Sequence, residues 1–489
     1  MTDIKQKNGE YIQYHDDGRV KAIDWYTNGN HDCSLDISDG EHIYNHGNGN
    51  LWQKYKIVNG KVDGKWILNH SSGVSSLLRE FKNGSKVGTW TGWHDDGTEW
   101  MVENYKDDKK NGPYLRWRYG KVPECEGQYK NDRKTGKWIY YYANGEKLSE
   151  GEYKKGKKIG RWLKYHDTSE LFSTSWYDNG KLSGNYIEKN PAGNISIKGQ
   201  YKNDFKDGKW ISINDFGLLD KEINYSNGKI HGKVIYYDKN EKKSKEKLFK
   251  HDLICESIGY FKDSDAIFKK TKYSNGMKNG EYLEFFDDGQ IMCKGWFNDD
   301  LKVGDWTYYR HDCNIMSKEK YLNGELHGKY LKYHPNNLKW IDGNYKKGKK
   351  HGRVLYYHLN GVKYKDENWH DGKEDGNWKT FSPDGKKLEE FKYIKGKLEE
   401  DYKSWYVNGQ LKTHSIYYKN LLDGHYIENY SNGNKRTDGQ MELEKMNGKW
   451  TFWHNNGKKE CEIVCKDGKL IDGKVWDNGG NEKKGLRFI

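Results

Sequence analysis

Residues 136–159 read GKWIYYYANGEKLSEGEYKKGKKI, and this stretch of 24 residues recurs with small changes along the chain. Stepping by 24 from Gly40 to Gly448 visits eighteen positions, and sixteen of them are glycine. An aromatic residue usually stands two positions after this leading glycine, and another stands seventeen positions after it. A fixed period of this kind is the signature of a repeat protein, in which each unit packs mainly on its neighbours.

Each repeat predicts two β-strands joined by tight turns. KWIYYY and KLSEGEY are strand-like, and ANG and KKGKK are the turns that follow them. Pairs such as Asn144-Gly145 tolerate positive φ at low cost, as tight hairpins require. A Gly or an Asn-Gly pair recurs about every ten to twelve residues, which excludes long helices. The sequence therefore predicts an all-β fold, an open single-sheet solenoid of stacked antiparallel β-hairpins with a 24-residue period.

The recurring glycines and aromatic residues are interpreted as structural. The leading glycine is expected to make room for a neighbouring ring to cross the backbone, the usual role of a glycine inside a strand. The aromatic two positions after it should point to the face opposite the residues at three and five. The structural glycines are Gly64, Gly88, Gly112, Gly136, Gly160, Gly184 and Gly208, and the structural aromatics are Trp66, Trp90, Trp138, Trp162, Trp210, Tyr129, Tyr153 and Tyr177.

The repeat pattern also predicts the domain organisation. Residues 1–39 are expected to form an N-terminal capping repeat with a short insertion, and residues 40–471 about eighteen tandem repeats. Residues 472–489 should form a C-terminal capping hairpin. The stretch 239–268 is the least regular, with Glu256 in the place of the leading glycine, and a bend or bulge is expected there.

Composition supports an extended array. Hydrophobic residues make up only 34% of the chain, below the roughly 45–50% of globular domains, which argues against a large conventional core. Aromatic residues reach 15% and there are only 5 Pro, a composition that disordered chains do not have. Thin but regularly supplied apolar material fits stacked repeats better than several compact domains.

No targeting or membrane signal is visible in the sequence. The first residues, MTDIKQKNGEYIQYHDDG, lack the apolar region of a signal peptide, and no apolar run approaches the roughly 20 residues of a membrane-spanning helix. Seven Cys without paired spacing favour a reducing compartment. The expected location is the cytoplasm, or the host cytoplasm if the gene is viral.

The unit GKWIYYYANGEKLSEGEYKKGKK resembles the MORN repeat in its bacterial and viral variant form, which also builds YwqK-like antitoxin proteins. The resemblance extends from about residue 9 to 480 and rests on the register of Gly, Trp or Tyr, and NGK. Proteins similar to this one serve as membrane-apposed tethers, assembly scaffolds and interaction modules. The resemblance therefore implies an interaction surface and specifies no reaction.

The recurring histidines are the candidates for metal ligands. Seven His recur six positions after the leading glycine: His46, His70, His94, His166, His334, His358 and His454. Equivalent side chains of stacked repeats lie about 10 Å apart, too far to share one zinc ion, so a structural role at the strand end is expected. No P-loop, HExxH or nucleophile elbow is present. We expect no enzyme activity, no metal site and no cofactor.

The best candidate for a binding surface is a basic rim. Lys109, Lys110, Arg133, Lys134, Lys157 and Lys158 occupy three successive turns, and stacking should align them at about 10 Å per step. The net charge of +13 permits an anionic partner. Because only ten basic residues are Arg, whose planar fork reads bases and phosphates, nucleic acid is disfavoured as the partner.

The expected function is a non-enzymatic repeat scaffold that mediates protein–protein interaction through an extended surface. One alternative is a peripheral platform that binds anionic membranes through the lysine rim. A second alternative is an antitoxin or immunity protein that masks a partner toxin. The partner protein and the oligomeric state are not specified by the residues.

Overall fold

A computed structural model describes residues 9–14, 20–27, 30–35 and 38–483, with side chains described from residue 38 onward. The chain divides into two compact units, Met1–Glu241 and Lys242–Ile489. Parts of the predicted N-terminal cap and residues 484–489 of the predicted C-terminal cap lie outside the described residues. The predicted domain boundaries therefore stay predictions.

The strands of the first unit are short and evenly spaced. The first three form a small separate antiparallel sheet: β1 (Gly9–Tyr14), β2 (Val20–Thr27) and β3 (Asn30–Leu35). The others are β4 (Gly40–Asn45), β5 (Leu51–Val58), β6 (Lys61–Val62), β7 (Gly64–Asn69), β8 (Ser75–Lys82), β9 (Ser85–Trp93), β10 (Glu99–Lys106), β11 (Lys109–Arg118), β12 (Val122–Lys130), β13 (Arg133–Tyr141), β14 (Lys147–Lys154), β15 (Lys157–Tyr165), β16 (Leu171–Asp178), β17 (Lys181–Leu182), β18 (Gly184–Lys189), β19 (Ile195–Lys202), β20 (Phe205–Ile213), β21 (Leu219–Ser226) and β22 (Lys229–Tyr237). One turn of 3-10 helix, Tyr119–Lys121, interrupts them.

The second unit repeats the same pattern. Its strands are β23 (Lys243–Lys250), β24 (Leu253–Tyr260), β25 (Ile267–Ser274), β26 (Met277–Phe285), β27 (Ile291–Asn298), β28 (Leu301–Tyr309), β29 (Ile315–Leu322), β30 (Glu325–Tyr333), β31 (Lys339–Lys346), β32 (Lys349–Lys350), β33 (Gly352–Tyr357), β34 (Lys363–His370), β35 (Lys373–Glu374), β36 (Gly376–Phe381), β37 (Lys387–Ile394), β38 (Lys397–Trp405), β39 (Leu411–Tyr418), β40 (Leu421–Asn429), β41 (Lys435–Glu442), β42 (Lys445–Trp453), β43 (Lys459–Lys466) and β44 (Lys469–Val475).

Within each unit, successive strands pair antiparallel in chain order to form an open sheet. In the repeat that begins at Gly136, Trp138 of β13 lies opposite Gly151 of β14, and Ser149 of β14 in turn lies opposite Lys164 of β15. Two strands per 24 residues follow from the two turn signals of the sequence. The predicted all-β class, the open antiparallel arrangement and the hairpin period are confirmed. No helix in the described part of the chain has the length and apolar character needed to cross a membrane.

The leading glycines lie at a bulge, where the strand gains residues relative to its partner. Between β14 and β15, Glu150 faces Leu163 while Glu152 faces Ile159, so the second strand carries extra residues around Gly160. Gly136 and Gly160 have φ of 65° and 63°, and a Cβ added to either would meet no atom within 4 Å. The expectation that the leading glycine makes room for a crossing ring is therefore wrong at Gly136 and Gly160. They are needed for the left-handed backbone of the bulge.

The crossing ring lies instead over a glycine fifteen positions after the leading one. A Cβ on Gly151 would sit 2.2 Å from Cδ2 of Trp162, which belongs to the next repeat. The indole Nε1 of Trp162 donates to the carbonyl oxygen of Glu152 at 3.3 Å. The buried ring is thus held both by this hydrogen bond and by its packing on Gly151. The same arrangement joins Gly127 to Trp138, Gly199 to Trp210, Gly295 to Trp306 and Gly439 to Trp450.

Tyrosine rings fill the space between successive tryptophans. Tyr153 stands edge-on to Trp138 and to Trp162, with ring centroids 6.1 and 5.1 Å away. Edge-to-face contacts of this kind add to the stabilisation from apolar burial. We call this side of the sheet the Trp face. Its repeated rings, among them Trp138, Trp162 and Tyr153, link each repeat to the next within a unit.

Candidate functional site

Within each unit, the turns that precede the leading glycines form an exposed row, which we call turn row A. It consists of positions 18 to 22 of each repeat, for example Lys154–Lys158. The amide of Gly156 donates to the carbonyl of Lys134 in the preceding repeat at 2.9 Å, and Gly180 donates to Lys158 at the same distance. Each turn is therefore hydrogen-bonded to its neighbour, and equivalent side chains of successive repeats are held in line.

The other turns, at positions 6 to 10, form turn row B and are joined by side chains. Asn144 Nδ2 donates to the carbonyl of Asp167 in the next repeat at 2.8 Å, and Tyr142 Oη donates to that of Tyr165 at 2.9 Å. His46, His70, His334 and His358 hold the position of Tyr142 in their repeats and contact a carbonyl in the same way, whereas Nε2 of His94, His166 and His454 is buried without a hydrogen-bond partner among the described residues. His46 and His334 place Nε2 3.0 and 2.9 Å from the carbonyl oxygens of Asn69 and Tyr357. This contact gives these histidines a structural function.

The six predicted rim residues separate into two sets. Lys110, Lys134 and Lys158 turn into the Trp face, where the ammonium groups of Lys134 and Lys158 lie 4.1 and 4.0 Å from the ring centroids of Trp138 and Trp162. Burial lowers the pKa of Lys134 and of Lys158. These cations are largely taken up by cation–π contacts, so they are poorly placed for an external partner.

Lys109, Arg133 and Lys157 are exposed on turn row A, and the first two line a groove of about 540 Å³. The groove is completed by side chains that sequence reasoning missed: Lys130, Asn131, Thr135, Lys154 and Lys155. We call it the basic groove. Its five cations form no ion pair within the part of the chain that the structure describes. The missed signal was a lysine at position 18 that recurs at residues 82, 106, 130 and 154.

Three consecutive repeats of the second unit carry apolar side chains at one position of turn row A, where most other repeats of that unit have Lys or Glu. Leu253, Met277 and Leu301 hold position 21 in three consecutive repeats and are 53%, 39% and 47% exposed. Lys109, Arg133 and Lys157 have this position in the first unit. We call the three residues the apolar stripe. Equivalent turns are therefore cationic in one set of three repeats and apolar in another.

The side of the sheet opposite the Trp face carries carboxylates. Glu150 accepts from Tyr165 Oη at 2.6 Å and from Lys137 Nζ at 2.8 Å, and Lys147 lies 3.4 Å away. Burial opposes ionisation of Glu150, but these donors outweigh it and lower its pKa to about 2. Asp342, Asp366 and Asp438 have the same position and lowered pKa values. We call this side the carboxylate face, and its charges are largely paired.

A second groove, of about 550 Å³, opens on the Trp face of the second unit. Thr380 and Ser404 stand there at position 4, where several repeats have Tyr, and the smaller side chains leave the space open. Glu389 inside it accepts from Tyr402 at 2.9 Å and from Thr380 at 3.0 Å. Its only carboxylate is thus already hydrogen-bonded by neighbouring side chains.

The described residues contain no cluster of side chains that could bind a metal ion. Over residues 38–483, no three His, Cys, Asp or Glu side chains lie close enough together to hold a metal ion. The described cysteines Cys125, Cys255, Cys293, Cys313, Cys461 and Cys465 are free thiols. Burial raises the pKa of Cys293 to about 12, which makes its thiol unreactive.

Comparisons with known proteins identify the repeat. The profile of the MORN repeat variant matches residues 134–155 and 374–395, two segments that occupy the same register of the repeat. No curated protein sequence matches the chain. Repeats of this kind generally contact proteins or membranes.

Solved structures with detectable similarity are much larger. The crystal structures of TcdB2-TccC3 and TcdB2-TccC3-Cdc42 are 10% identical over 97% of this chain, with a TM-score of 0.14. The Photorhabdus luminescens Tc holotoxin pore is 11% identical over 98% of this chain, also with a TM-score of 0.14. This chain spans 27% to 28% of the length of those chains. Two segments of this chain, residues 134–155 and 374–395, thus match the MORN repeat variant, and they share the register of the 24-residue period.

Proposed function

We propose that this chain is a non-enzymatic scaffold that binds a partner protein along turn row A. The observation that carries the proposal is the apolar stripe, Leu253, Met277 and Leu301, exposed at successive steps of the row. Large apolar side chains that recur in line on a polar surface are typical of protein-binding sites, because their burial on association is favourable. At about 10 Å per repeat, the stripe extends over roughly 20 Å.

The repeated architecture supports binding over catalysis. A reaction needs one set of convergent polar groups, whereas each turn of this array offers nearly the same environment as the next. In the groove on the Trp face, the carboxylate of Glu389 is occupied by Tyr402 and Thr380. The free thiols fit action in a reducing compartment such as the cytoplasm.

The test compares proteins retained by the immobilised full chain from an extract of its native source. We expect a specific protein to be retained by the wild type and lost with Leu253→Asp combined with Leu301→Asp. The matched control is Leu359→Asp with Val407→Asp, because these side chains are 59% and 64% exposed on turn row B. Circular dichroism and thermal unfolding confirm that both variants fold.

Two outcomes contradict the proposal. Retention that is unchanged by the stripe variant, or lost equally with the control variant, removes turn row A as the binding surface. Flotation of the wild type with anionic vesicles, together with no retained protein, favours a peripheral membrane platform instead.

A further inference from the structure

We propose that the basic groove of the first unit binds an extended acidic segment of a protein. The inference rests on the proposed scaffold function and assigns a second, electrostatic contact to turn row A. The groove joins Lys109, Lys130, Arg133, Lys154 and Lys155, all exposed, from three successive turns.

The second unit contains the same turn with two of its four lysines paired to carboxylates. Residues 345–350 read YKKGKK, as do residues 153–158. Lys346 lies 3.9 Å from Asp371 in the next repeat, and Lys350 lies 3.5 Å from Glu367. Lys130 holds the position of Lys346, and Lys155 holds that of Asp371. An ion pair in one unit is thus replaced by two like charges in the other.

Nearby acids form no ion pair with the groove cations among the residues that the structure describes. Asp132 and Asp108 accept backbone amides of the preceding turns, those of Lys110 and Lys86, at 2.8 Å each. Neither these nor Asp107 is among the groove residues. Uncompensated like charges oppose folding, and an anionic ligand relieves that repulsion.

Lys155 also occupies a backbone conformation that lysine disfavours. Its φ is 54°, in the left-handed region, whereas Asn or Asp stands at this position in most repeats, as Asn131 does with φ of 50°. A non-glycine residue without a short polar side chain pays more for this conformation. Lysine stands at this position against the local preference of the turn, here and at Lys347, Lys395 and Lys419.

The spacing of the cations fits an extended peptide. Equivalent side chains on stacked repeats lie about 10 Å apart. Three residues of an extended polyproline II chain rise about 9 Å and complete one turn, so every third side chain points the same way. A carboxylate at every third residue therefore meets one cation per repeat. The groove residues include no aromatic ring on which a base could stack and no apolar side chain that could enter a bilayer. These features favour an acidic protein segment over single-stranded nucleic acid or a membrane.

The test measures binding of a dye-labelled peptide to the full chain by fluorescence anisotropy at low salt. The peptide has roughly a dozen residues, with glutamate at every third position and alanine or serine between, to match the repeat spacing. We expect Lys130→Glu with Lys154→Glu to weaken binding about tenfold or more, because close charges couple strongly. The same reversal at Lys346→Glu with Lys349→Glu should change it less than about twofold.

A second variant separates binding from folding. Lys155→Asn removes one cation and inserts the residue that this turn prefers, so we expect a higher thermal midpoint together with peptide binding weakened about threefold. Lys347, with φ of 49°, provides the control, since Lys347→Asn should raise the midpoint and leave binding unchanged. A merely structural role of Lys155 predicts no loss of binding in either variant.

The proposal is overturned if the wild type does not bind the peptide at low salt, or binds it equally after the Lys130 and Lys154 reversals. It is also overturned if phosphatidylserine vesicles or oligothymidylate bind through the groove and the peptide does not. Loss of peptide binding with intact stripe-dependent retention of a protein leaves the scaffold function standing. Intact peptide binding without stripe-dependent retention of a protein rejects the scaffold function and supports the groove as an acidic-peptide site.

Discussion

Glycine has two different functions in this repeat, and each depends on a single geometric fact. Gly151 lies under the ring of Trp162, whereas Gly136 has open space around it and a φ of 65°. Position 151 therefore excludes every side chain. Position 136 excludes only residues that disfavour a left-handed backbone. Substitutions that differ in size and in backbone preference separate the two.

Gly151→Ala should destabilise the protein by about 2–3 kcal/mol, because the new methyl group overlaps a buried indole that cannot move away. The measurement is the free energy of unfolding in urea. Gly259→Ala is the matched control, since its Cβ would meet Phe268 at an ordinary 3.7 Å inside a strand. Equal costs at the two positions would show that Trp162 does not lie over Gly151.

Gly136 should tolerate Asn much better than Val. Asn adopts left-handed backbone readily, so Gly136→Asn is expected to cost less than about 1 kcal/mol, whereas a β-branched Val should cost about 2 kcal/mol. Glu400 has φ of 63° in the equivalent slot, which shows that this position admits a side chain. Gly151→Asn, measured beside it, should be as damaging as Gly151→Ala. If Gly136→Asn lowered the free energy of unfolding by several kcal/mol, a ring crossing Gly136 would again be the better interpretation.

The sequence did contain a signal for the crossing tryptophan. Glycine stands eleven residues before Trp138, Trp162, Trp210, Trp306 and Trp450, while Ser or Thr stands eleven residues before Tyr186, Tyr282 and Tyr426. In these repeats the larger ring stands opposite the smaller partner. The signal was hidden because the partner belongs to the preceding repeat, and because Tyr55, Arg79 and Glu367 precede Trp66, Trp90 and Trp378 at the same distance. The leading glycine recurs in more repeats than the glycine under the ring. Its frequency does not show whether a close contact or a left-handed backbone requires it.

At the scale of the strand pair, the carboxylate face couples stability to pH. The folded pKa of Glu150 is lowered to about 2, below the unfolded value near 4.3. A depressed carboxyl contributes stability above its unfolded pKa and loses it as pH falls through the folded pKa. We expect the unfolding free energy to fall between about pH 5 and pH 2, by roughly 1–2 kcal/mol for Glu150 after allowance for exposed partners.

Lys137→Met tests this assignment, because it removes one donor to Glu150 and should flatten the pH dependence between about pH 5 and pH 2. Urea unfolding at a series of pH values is the measurement. Lys181→Met serves as the control, since Lys181 is exposed and lies away from Glu150. If both variants keep the wild-type slope, the Lys137–Glu150 pair does not carry the effect.

The turns show why sequence reasoning placed the basic rim only in part. Periodicity correctly predicts that Lys109, Arg133 and Lys157 recur on equivalent turns. It does not show that the next residue of each pair, such as Lys134, points through the sheet edge onto Trp138, because adjacent strand residues alternate in direction. The groove also draws Lys130 and Lys155 from neighbouring repeats, a contact between turns that only the stacked structure reveals.

At the scale of the whole molecule, a repeat that contacts only its neighbours should be removable as a unit. Deletion of residues 424–447 joins Asp423 to Gly448, and the new junction restores the step from one repeat to the next. Trp450 would then face Ser415 instead of Gly439, a small partner in the same place. We expect the shortened chain to keep its strand signature in circular dichroism and to unfold cooperatively at a slightly lower urea midpoint.

Deletion of half a repeat gives the decisive contrast. Removing residues 424–435 joins Asp423 to Arg436. The first three residues of β40 then run directly into β41, and the turn between the two strands is lost. The strands after the junction then lose their turn and present the wrong face to the neighbour, because a shift of register exchanges the two sides of a sheet. This variant should lose cooperative unfolding although it is longer than the first. Equal stability of the two deletions would mean that the 24-residue period does not govern packing, and nearest-neighbour stacking would have to be abandoned as the source of stability.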